Sequence, residues 1–176
     1  MNNLELNACI KEYMNGNSEK FNDIYYETKK IVYLSIYSIL GNSSEIEDIM
    51  QETYMKMIES LDSYKLGTNF KAWISSIARN LSINEYNKKK RLFEVDESTM
   101  DSISYSYDNN SLINRSLSLL NNDTDMKQIF VYRIIFNMGF RDISNIMNIP
   151  KSTIHDLYKK MINIIKNNLE EFSDEV

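Results

Sequence analysis

Apolar side chains recur every three or four residues along most of this chain, which is the spacing of amphipathic α-helices. A first long helix is predicted to end just before Gly41, because glycine readily adopts the positive φ of a helix stop. The inward side of that helix would carry Phe21, Ile24, Tyr25, Thr28, Val32, Ser35 and Ile39.

Two more helices are predicted in the first half of the chain. One opens at Ser44, because Glu47 three residues later completes a capping box. Its inward residues would be Ile46, Ile49, Met50, Thr53, Met57, Ile58 and Leu61. After a loop over 62–68, Asn69 is predicted to cap the next helix, since its side chain can accept a bond from the first turn. The apolar stripe of that helix is Phe70, Ile74, Ile77, Ala78 and Leu81.

Helical spacing is lost between about residues 92 and 110, where an acidic, Ser- and Asn-rich sequence predicts a linker. A short helix is predicted over 112–120, and Asp123 or Thr124 would cap another. A short helix over 141–147 and a last helix from Ser152 flank the turn Asn148-Ile-Pro150. The helix that Asp123 or Thr124 caps would turn Met126, Ile129, Phe130, Arg133 and Ile134 inward. The inward residues of the last helix would be Ile154, Leu157, Tyr158, Met161, Ile164, Ile165 and Leu169. The predicted fold class is all-α, with two small helical domains at 1–91 and 123–176 joined by an acidic flexible linker at 92–122.

Composition excludes several classes of protein. With 176 residues and 43% hydrophobic residues, the chain can bury a core, yet no apolar run is long enough for a membrane span. The opening MNNLELNACIKEY does not resemble a signal peptide, so a cytoplasmic protein is expected. Cys9 and His155 are single, which excludes an internal disulfide and most metal sites. No Gly-rich phosphate loop is present, so we expect no metal, no cofactor, no small-molecule substrate and no enzymatic activity.

The net charge of −5 conceals an alternating pattern. Residues 65–91 carry a net charge of +6 and residues 126–167 carry +5, while residues 92–125 between them carry −6. Two basic blocks can form two contact surfaces for an anionic polymer, although ordinary solvated helix faces explain the charge equally well.

The two helices around Pro150 have the lengths of a helix-turn-helix. The second helix would then enter the major groove and expose Ser152, His155, Asp156, Lys159, Lys160 and Asn163. A helical hairpin that packs onto another element has the same pattern.

The helix from Asn69 carries an aromatic ring, several amides and a basic end. Its flank would present Trp73, Asn80, Asn84, Asn87 and Arg91, with Lys71 and Arg79 close by. These groups suit an unstacked single strand. Alternatively, Trp73 belongs to the core and the basic residues 88–91 complement the helix dipole. On the helix before it, Asp48, Gln51, Glu52 and Lys56 form either a solvated surface, with Glu52 and Lys56 paired, or a docking face for a protein.

Three segments together resemble the extracytoplasmic-function (ECF, group IV) sigma factors of the bacterial sigma-70 family. They are EIEDIMQETYMKM (45–57), NFKAWISSIARNLSINEYNKKKR (69–91) and FRDISNIMNIPKSTIHDLYKKM (140–161). The resemblance extends from about residue 18 to residue 169. It implies a region 2 helical bundle, a linker that runs through the polymerase cleft, and a region 4 helix-turn-helix.

The resemblance also implies roles for individual residues. Docking onto the clamp helices of the largest subunit of core RNA polymerase falls to Asp48, Gln51, Glu52 and Lys56. Melting and reading of the promoter −10 element falls to the loop 62–69 and to Phe70, Lys71, Trp73, Arg79, Asn80, Asn84, Lys88 and Arg91. Reading of the −35 element falls to Arg141, Ser152, Thr153, His155, Asp156, Lys159 and Lys160. A cognate anti-sigma factor, often membrane-anchored in this family, is an implied partner beside polymerase and promoter DNA.

Some positions depart from the family pattern. Ile46 stands where Ala is usual, Asp142 replaces Glu, and His155-Asp156 replaces a common Arg-Ser pair, which affects the expected −35 sequence. A stand-alone helix-turn-helix regulator is the main alternative, but it leaves Gln51-Glu52 and the segment 73–80 unexplained. A helical adaptor that does not bind DNA is a third reading, and an enzyme is the last.

Overall fold

The computed structural model describes residues 1–41, 43–93, 112–120 and 123–173, and this part of the chain is helical, without a strand. The all-α prediction is confirmed. The helices are α1 Asn3–Met14, α2 Lys20–Leu40, α3 Ile46–Glu59, α4 Phe70–Phe93, α5 Leu112–Leu119, α6 Thr124–Ile129, α7 Phe140–Met147 and α8 Lys151–Ser173. A 3₁₀ turn, Leu61–Ser63, follows α3, and a π-helical turn, Phe130–Ile135, continues α6. Most of the predicted linker, residues 94–111, lies outside the described residues.

Helices α1 to α4 form an N-terminal module around one apolar core. The side chains of Leu6, Ile24, Met57, Phe70 and Ile74 have no exposed surface, so each of the four helices contributes to that core. The predicted inward stripes of these helices lie there, with one exception. Ile58, in the last turn of α3, is 44% exposed, whereas Met57 beside it and Leu61 after it are buried as predicted.

Two of the three predicted helix caps are present. Asn69 Oδ1 accepts a hydrogen bond from the Ala72 amide at 3.2 Å, and Asp123 Oδ1 accepts one from the Met126 amide at 2.9 Å. The capping box predicted at Ser44 is wrong, because α3 begins at Ile46 and no side chain caps it. Instead, the Glu45 carboxylate accepts bonds from the Ser43 hydroxyl and from Lys89 on α4.

Helices α5 to α8 form a C-terminal module. The short helix predicted at 112–120 is confirmed as α5, and it packs against α8. Leu117 and Leu120 are buried in the same apolar cluster as Ile154 and Met161, although the sequence division placed 112–122 in the linker. Residues 112–120 therefore pack with the C-terminal module.

The π-helical turn changes which residues of the C-terminal module face inward. The Phe136 amide bonds to the Val131 carbonyl oxygen five residues back at 3.2 Å, which widens the turn. Val131 and Tyr132 become fully buried, and Ile134 is 44% exposed. The inward prediction for Ile134 is wrong because it assumed 3.6 residues per turn throughout.

The two modules pack directly on one another. Ile31 and Leu34 of α2 and Ala72 of α4 belong to the apolar cluster of the C-terminal module. Helix α2 packs on α6, and α4 packs on α7. This interface brings residues more than 40 positions apart into contact, so helical spacing alone did not reveal it.

Candidate nucleic-acid interface

Helix α4 presents its polar residues on two different flanks. Asn80 and Asn84 are exposed and line a groove of about 360 Å³ together with Lys56 and Glu59 of α3. Arg79 lies on another flank, against the C-terminal module. The residues predicted to read the −10 element therefore do not share a single surface in this structure.

Trp73 is held in an aromatic cluster at the start of α4. Its ring centroid lies 5.2 Å from that of Tyr64 and 5.4 Å from that of Phe70. Phe70 has no exposed surface, so it supports Trp73 from beneath and offers nothing to a nucleic acid here. Trp73 is only partly buried, which leaves part of its indole available for stacking.

A cleft of about 300 Å³ lies beside Trp73, between the N-terminal end of α4 and helix α7. Asn69 Nδ2 donates a hydrogen bond of 2.8 Å to Asp142 Oδ2 across it. Asn145 and Ile146 of α7 line its opposite wall. The C-terminal module therefore borders the exposed side of the Trp73 cluster.

Arg79 is held by the C-terminal module through two contacts. Its Nε donates a hydrogen bond of 2.7 Å to Gln128 Oε1, and its Nη2 lies 3.7 Å from Asp125 Oδ1. The Arg79 side chain is only 13% exposed. Beneath it, burial raises the pKa of the Tyr132 hydroxyl to about 12, while Ser35 and Arg79 nearby act in the opposite direction.

The remaining basic residues of α4 differ in their surroundings. Lys71 Nζ pairs with Glu27 of α2 at 2.5 Å, which directs it away from the Asn80 groove. Lys88 and Arg91 are exposed at the C-terminal end of the helix. That end is available to a phosphate backbone, while Lys71 already has an acidic partner.

The outer face of α3 is exposed over its whole length. Asp48, Gln51, Glu52 and Lys56 lie there, and Lys56 Nζ is 3.6 Å from Glu52 Oε1, as the predicted pair requires. Met55 lies on the same helix and is 61% exposed. Ile58 on the same helix is 44% exposed, so two apolar side chains lie exposed beside these charged residues.

Helices α7 and α8 form the predicted helix-turn-helix. Asn148 ends α7 in the left-handed conformation (φ 54°, ψ 41°), and the Ser144 hydroxyl donates to the Ile149 carbonyl oxygen at 2.6 Å. Phe140 packs edge-on against both His155 and Tyr158. All the residues predicted to read the −35 element are exposed: Arg141, Ser152, Thr153, His155, Asp156, Lys159 and Lys160.

Comparison with known proteins gives consistent matches. The model of Sigma-70 region 2 matches residues 14–92. The ECF RNA polymerase sigma factor SigW of Bacillus subtilis is 28% identical over 161 residues, covering 82% of this chain and 86% of SigW. The ECF RNA polymerase sigma-E factor of Haemophilus influenzae is 22% identical over 181 residues, covering 93% and 94%. Residues 14–92 therefore form a Sigma-70 region 2 domain, and most of the chain is similar to proteins named ECF RNA polymerase sigma factors.

Two solved structures share the fold. The sigma factor RpoE of Bartonella quintana, in complex with the anti-sigma factor NepR, superposes with a TM-score of 0.73 at 19% identity, covering 86% of this chain and 98% of that one. CnrH in complex with the cytosolic domain of CnrY gives 0.66 at 14% identity, covering 94% and 97%.

The region 2 match ends at residue 92, close to the end of α4, and it begins at the last residue of α1. Most of α1 and all of the C-terminal module therefore lie outside it. Sequence reasoning did not identify Asn7, Gln128 or Tyr132, which are buried beside the candidate site. The only available signal was for Asn7, a polar residue between Leu6 and Ile10 on the inward side of a helix.

The described residues contain no group of three or more His, Cys, Asp or Glu side chains that could hold a metal ion. None of the helices in the described ranges is both long and apolar enough to cross a membrane.

Proposed function

We propose that this chain is an alternative sigma factor, which binds core RNA polymerase and directs promoter-specific initiation without a bond-making step of its own. One observation carries the proposal: a single chain exposes the outer face of α3 and the polar face of α8 on two different modules. A DNA-binding protein that acts alone needs only the second face.

The outer face of α3 docks onto the clamp helices of the polymerase largest subunit. Asp48 and Glu52 supply negative charge, and Gln51 supplies hydrogen bonds. Met55 and Ile58, both substantially exposed, add apolar area that binding would remove from water. An apolar centre surrounded by polar residues favours contact with a protein partner over a face that stays in solvent.

Residues at the start and middle of α4 bind the melted −10 strand. Trp73 offers a ring face for stacking, and the amides of Asn80 and Asn84 can pair with base edges. A base that leaves the duplex loses a few kcal/mol of stacking and pairing, which these contacts would offset. Lys88 and Arg91 lie where the phosphate backbone can continue along the helix.

The polar face of α8 reads the −35 element in the major groove. Lys159 and Lys160 bind phosphates or guanine edges, and Asp156 can accept a hydrogen bond from cytosine. His155, braced by Phe140, is presented to the same groove. Residues 1–91, 92–122 and 123–176 thus serve as region 2, linker and region 4, with α5 packed onto the last of these.

The packed arrangement of the modules adds a requirement. Arg79 is bonded to Gln128, and α7 borders the cleft beside Trp73. Full engagement of −10 DNA therefore requires the C-terminal module to leave α4. Binding to polymerase, which would hold the two modules on separate promoter elements, provides the free energy for that separation.

A cognate anti-sigma factor is the proposed regulator. RpoE was solved with the anti-sigma factor NepR bound, and CnrH with the cytosolic domain of CnrY, which supports control of this chain by a bound protein. The chain would act in the cytoplasm, and a membrane-anchored anti-sigma factor would hold it at the membrane.

In vitro transcription tests the proposal directly. Core polymerase from Bacillus subtilis is incubated with a genomic fragment library, with and without the protein, and transcript starts are sequenced. We expect starts that depend on the protein and share spaced −35 and −10 motifs. If the protein binds duplex DNA but produces no such starts and does not co-elute with core polymerase, the stand-alone regulator is favoured. The exposed face of α8 is compatible with that function as well.

A further inference from the structure

The loop between α3 and α4 is tied to α1 by one buried side chain, Asn7. Asn7 lies on the inward side of α1 and is 9% exposed. Its Oδ1 accepts a hydrogen bond from the Gly67 amide at 2.8 Å and shares the single proton of the Tyr64 hydroxyl, at 3.0 Å, with the Thr68 carbonyl oxygen at 2.8 Å. Its Nδ2 donates to the carbonyl oxygens of Asn3 at 2.8 Å and of Thr68 at 3.1 Å.

These four bonds use the whole hydrogen-bonding capacity of an asparagine side chain. Three of them reach residues 57 to 61 positions away in the sequence, within the five-residue segment 64–68. A side chain that only satisfied its own helix would need the Asn3 bond alone. The long-range bonds therefore hold the loop against α1, together with a bond of 3.2 Å from Asn3 Nδ2 to the Thr68 carbonyl oxygen.

The bonded loop residues lead directly to the Trp73 cluster. Tyr64 packs edge-on against Phe70 with ring centroids 5.0 Å apart, and it also contacts Trp73. Burial raises the pKa of the Tyr64 hydroxyl above its ordinary value. Gly67, whose amide Asn7 binds, has φ +88°, a conformation that needs an external restraint to be kept uniquely.

We propose that Asn7 is a positioning residue for −10 recognition: it anchors the loop 64–68 to α1 and thereby sets the position of Trp73 and of the loop backbone that faces the melted strand. This inference rests on the proposed function, but Asn7 lies outside the residues that match Sigma-70 region 2. Helix α1 is thus a structural support of the −10 site.

The first test measures hydrogen exchange at the Gly67 amide in the free protein. Asn7→Leu keeps the size of the side chain and removes all four bonds, so the Gly67 amide should exchange about tenfold faster or more. Asn2→Ala is the matched control, because Asn2 caps the same helix without contacting the loop. An unchanged Gly67 rate in Asn7→Leu, or equal acceleration in Asn2→Ala, would overturn the anchoring role.

The second test uses holoenzyme assembled with Bacillus subtilis core polymerase. Templates carry a fixed −35 element and a randomised −10 hexamer, and transcripts are counted by sequencing. Asn7→Leu should flatten the preference at one or more −10 positions and lower the yield on duplex templates about tenfold. Binding to core polymerase and the yield on templates with a pre-melted −10 region should stay within about twofold.

The outcomes separate this inference from the proposed function. If the wild-type protein directs no transcription, the proposed function fails, while the exchange result still decides the anchoring. If Asn7→Leu lowers the yield on all templates equally, including pre-melted ones, its effect is on overall stability and the positioning role is refuted. Asn7→Asp, which keeps the acceptor but places a carboxylate against two carbonyl oxygens, should show the same flattened preference.

Discussion

Arg79 Nε donates a 2.7 Å hydrogen bond to Gln128 Oε1, which joins α4 of the N-terminal module to α6 of the C-terminal module. Gln128 is fully buried, and its Nε2 has no hydrogen-bond partner among the described residues. A buried amide with one end unpaired lowers the stability of the interface around it. The interface is therefore suited to separation when a competing partner is present.

Gln128→Ala removes the shorter of the two contacts that hold Arg79 and should favour separated modules, although the contact with Asp125 remains. We expect the affinity of the free protein for a single-stranded −10 oligonucleotide to rise about threefold to tenfold, since a bond to a charged group is lost only from the packed state. Fluorescence anisotropy measures the affinity, and small-angle scattering measures the accompanying expansion. Asn22→Ala, which removes an exposed amide on α2, is the control. An unchanged or weaker affinity would show that Arg79 does not limit access to DNA.

Trp73→Ala should impair promoter opening more than assembly with polymerase. The substitution removes the stacking face, worth about 1–3 kcal/mol per base, and leaves the outer face of α3 intact. Permanganate reactivity of −10 thymines measures opening, and co-elution with core polymerase measures assembly. A normal yield of open complex would remove Trp73 from the −10 site.

Charge reversal on α3 should weaken binding to polymerase. Asp48→Lys and Glu52→Lys change exposed carboxylates that contribute little to folding, so the melting temperature should move only slightly. We expect a loss of at least tenfold in affinity for core polymerase, because like charges would meet across the interface. Glu19→Lys, exposed at the start of α2, carries the same change in net charge. Equal pull-down yields for all three variants would place the docking face elsewhere.

Lys159→Ala and Lys160→Ala should each weaken binding to −35 duplex DNA. Each lost phosphate contact should reduce the salt slope of binding by about one. Lys30→Ala, an exposed lysine on α2, should leave the slope unaltered. Should the α8 variants keep the wild-type slope, their side chains do not bind phosphates.

The contact between Glu45 and Lys89 predicts an acid-dependent loss of stability. Hydrogen bonds from Lys89 and then from Ser43 lower the pKa of Glu45 from its ordinary 4.5 to about 2. The stabilisation is therefore complete above about pH 4.5 and is lost as the pH falls towards 2. The pair is about one-third exposed, so it contributes about 1 kcal/mol at most.

Glu45→Gln and Lys89→Met should both reduce this pH dependence, with a smaller fall in melting temperature between pH 5 and about pH 2.5 than in the wild-type protein. Thermal denaturation followed by circular dichroism measures the difference. Parallel pH profiles for the variants and the wild-type protein would show that the pair does not link α3 to α4 in solution.

Sequence reasoning predicted the helices best where the signal is short-range. The cap at Asn69 acts over three residues, and the turn at Asn148 ends α7 through its own backbone. The prediction failed at Ser44, where Glu45 binds a lysine 44 positions later, and at Ile134, where a π-helical turn interrupts the 3.6-residue period. In both places a tertiary contact or a change of helix type outweighed the local pattern.

The candidate surfaces, too, could be predicted only where short-range spacing decides which residues are exposed. The exposed faces of α3 and α8 could be predicted from the sequence, because the residues of one helix face are set by spacing alone. The residues of α4 could not be assigned to one surface, because its neighbours determine which flank is covered. Lys71 is paired with Glu27, Arg79 is bonded to Gln128, and Asn80 remains in an open groove.

Periodicity, caps and motif spacing predict a helical protein with a helix-turn-helix in its second half and a resemblance to ECF sigma factors, because these signals are properties of neighbouring residues. The contact between the modules through Arg79 and the hydrogen bonds from Asn7 to the loop before Trp73 could not be predicted from these signals. Those bonds join residues 49 to 61 positions apart. Their partners are chosen by the packing of whole helices against one another.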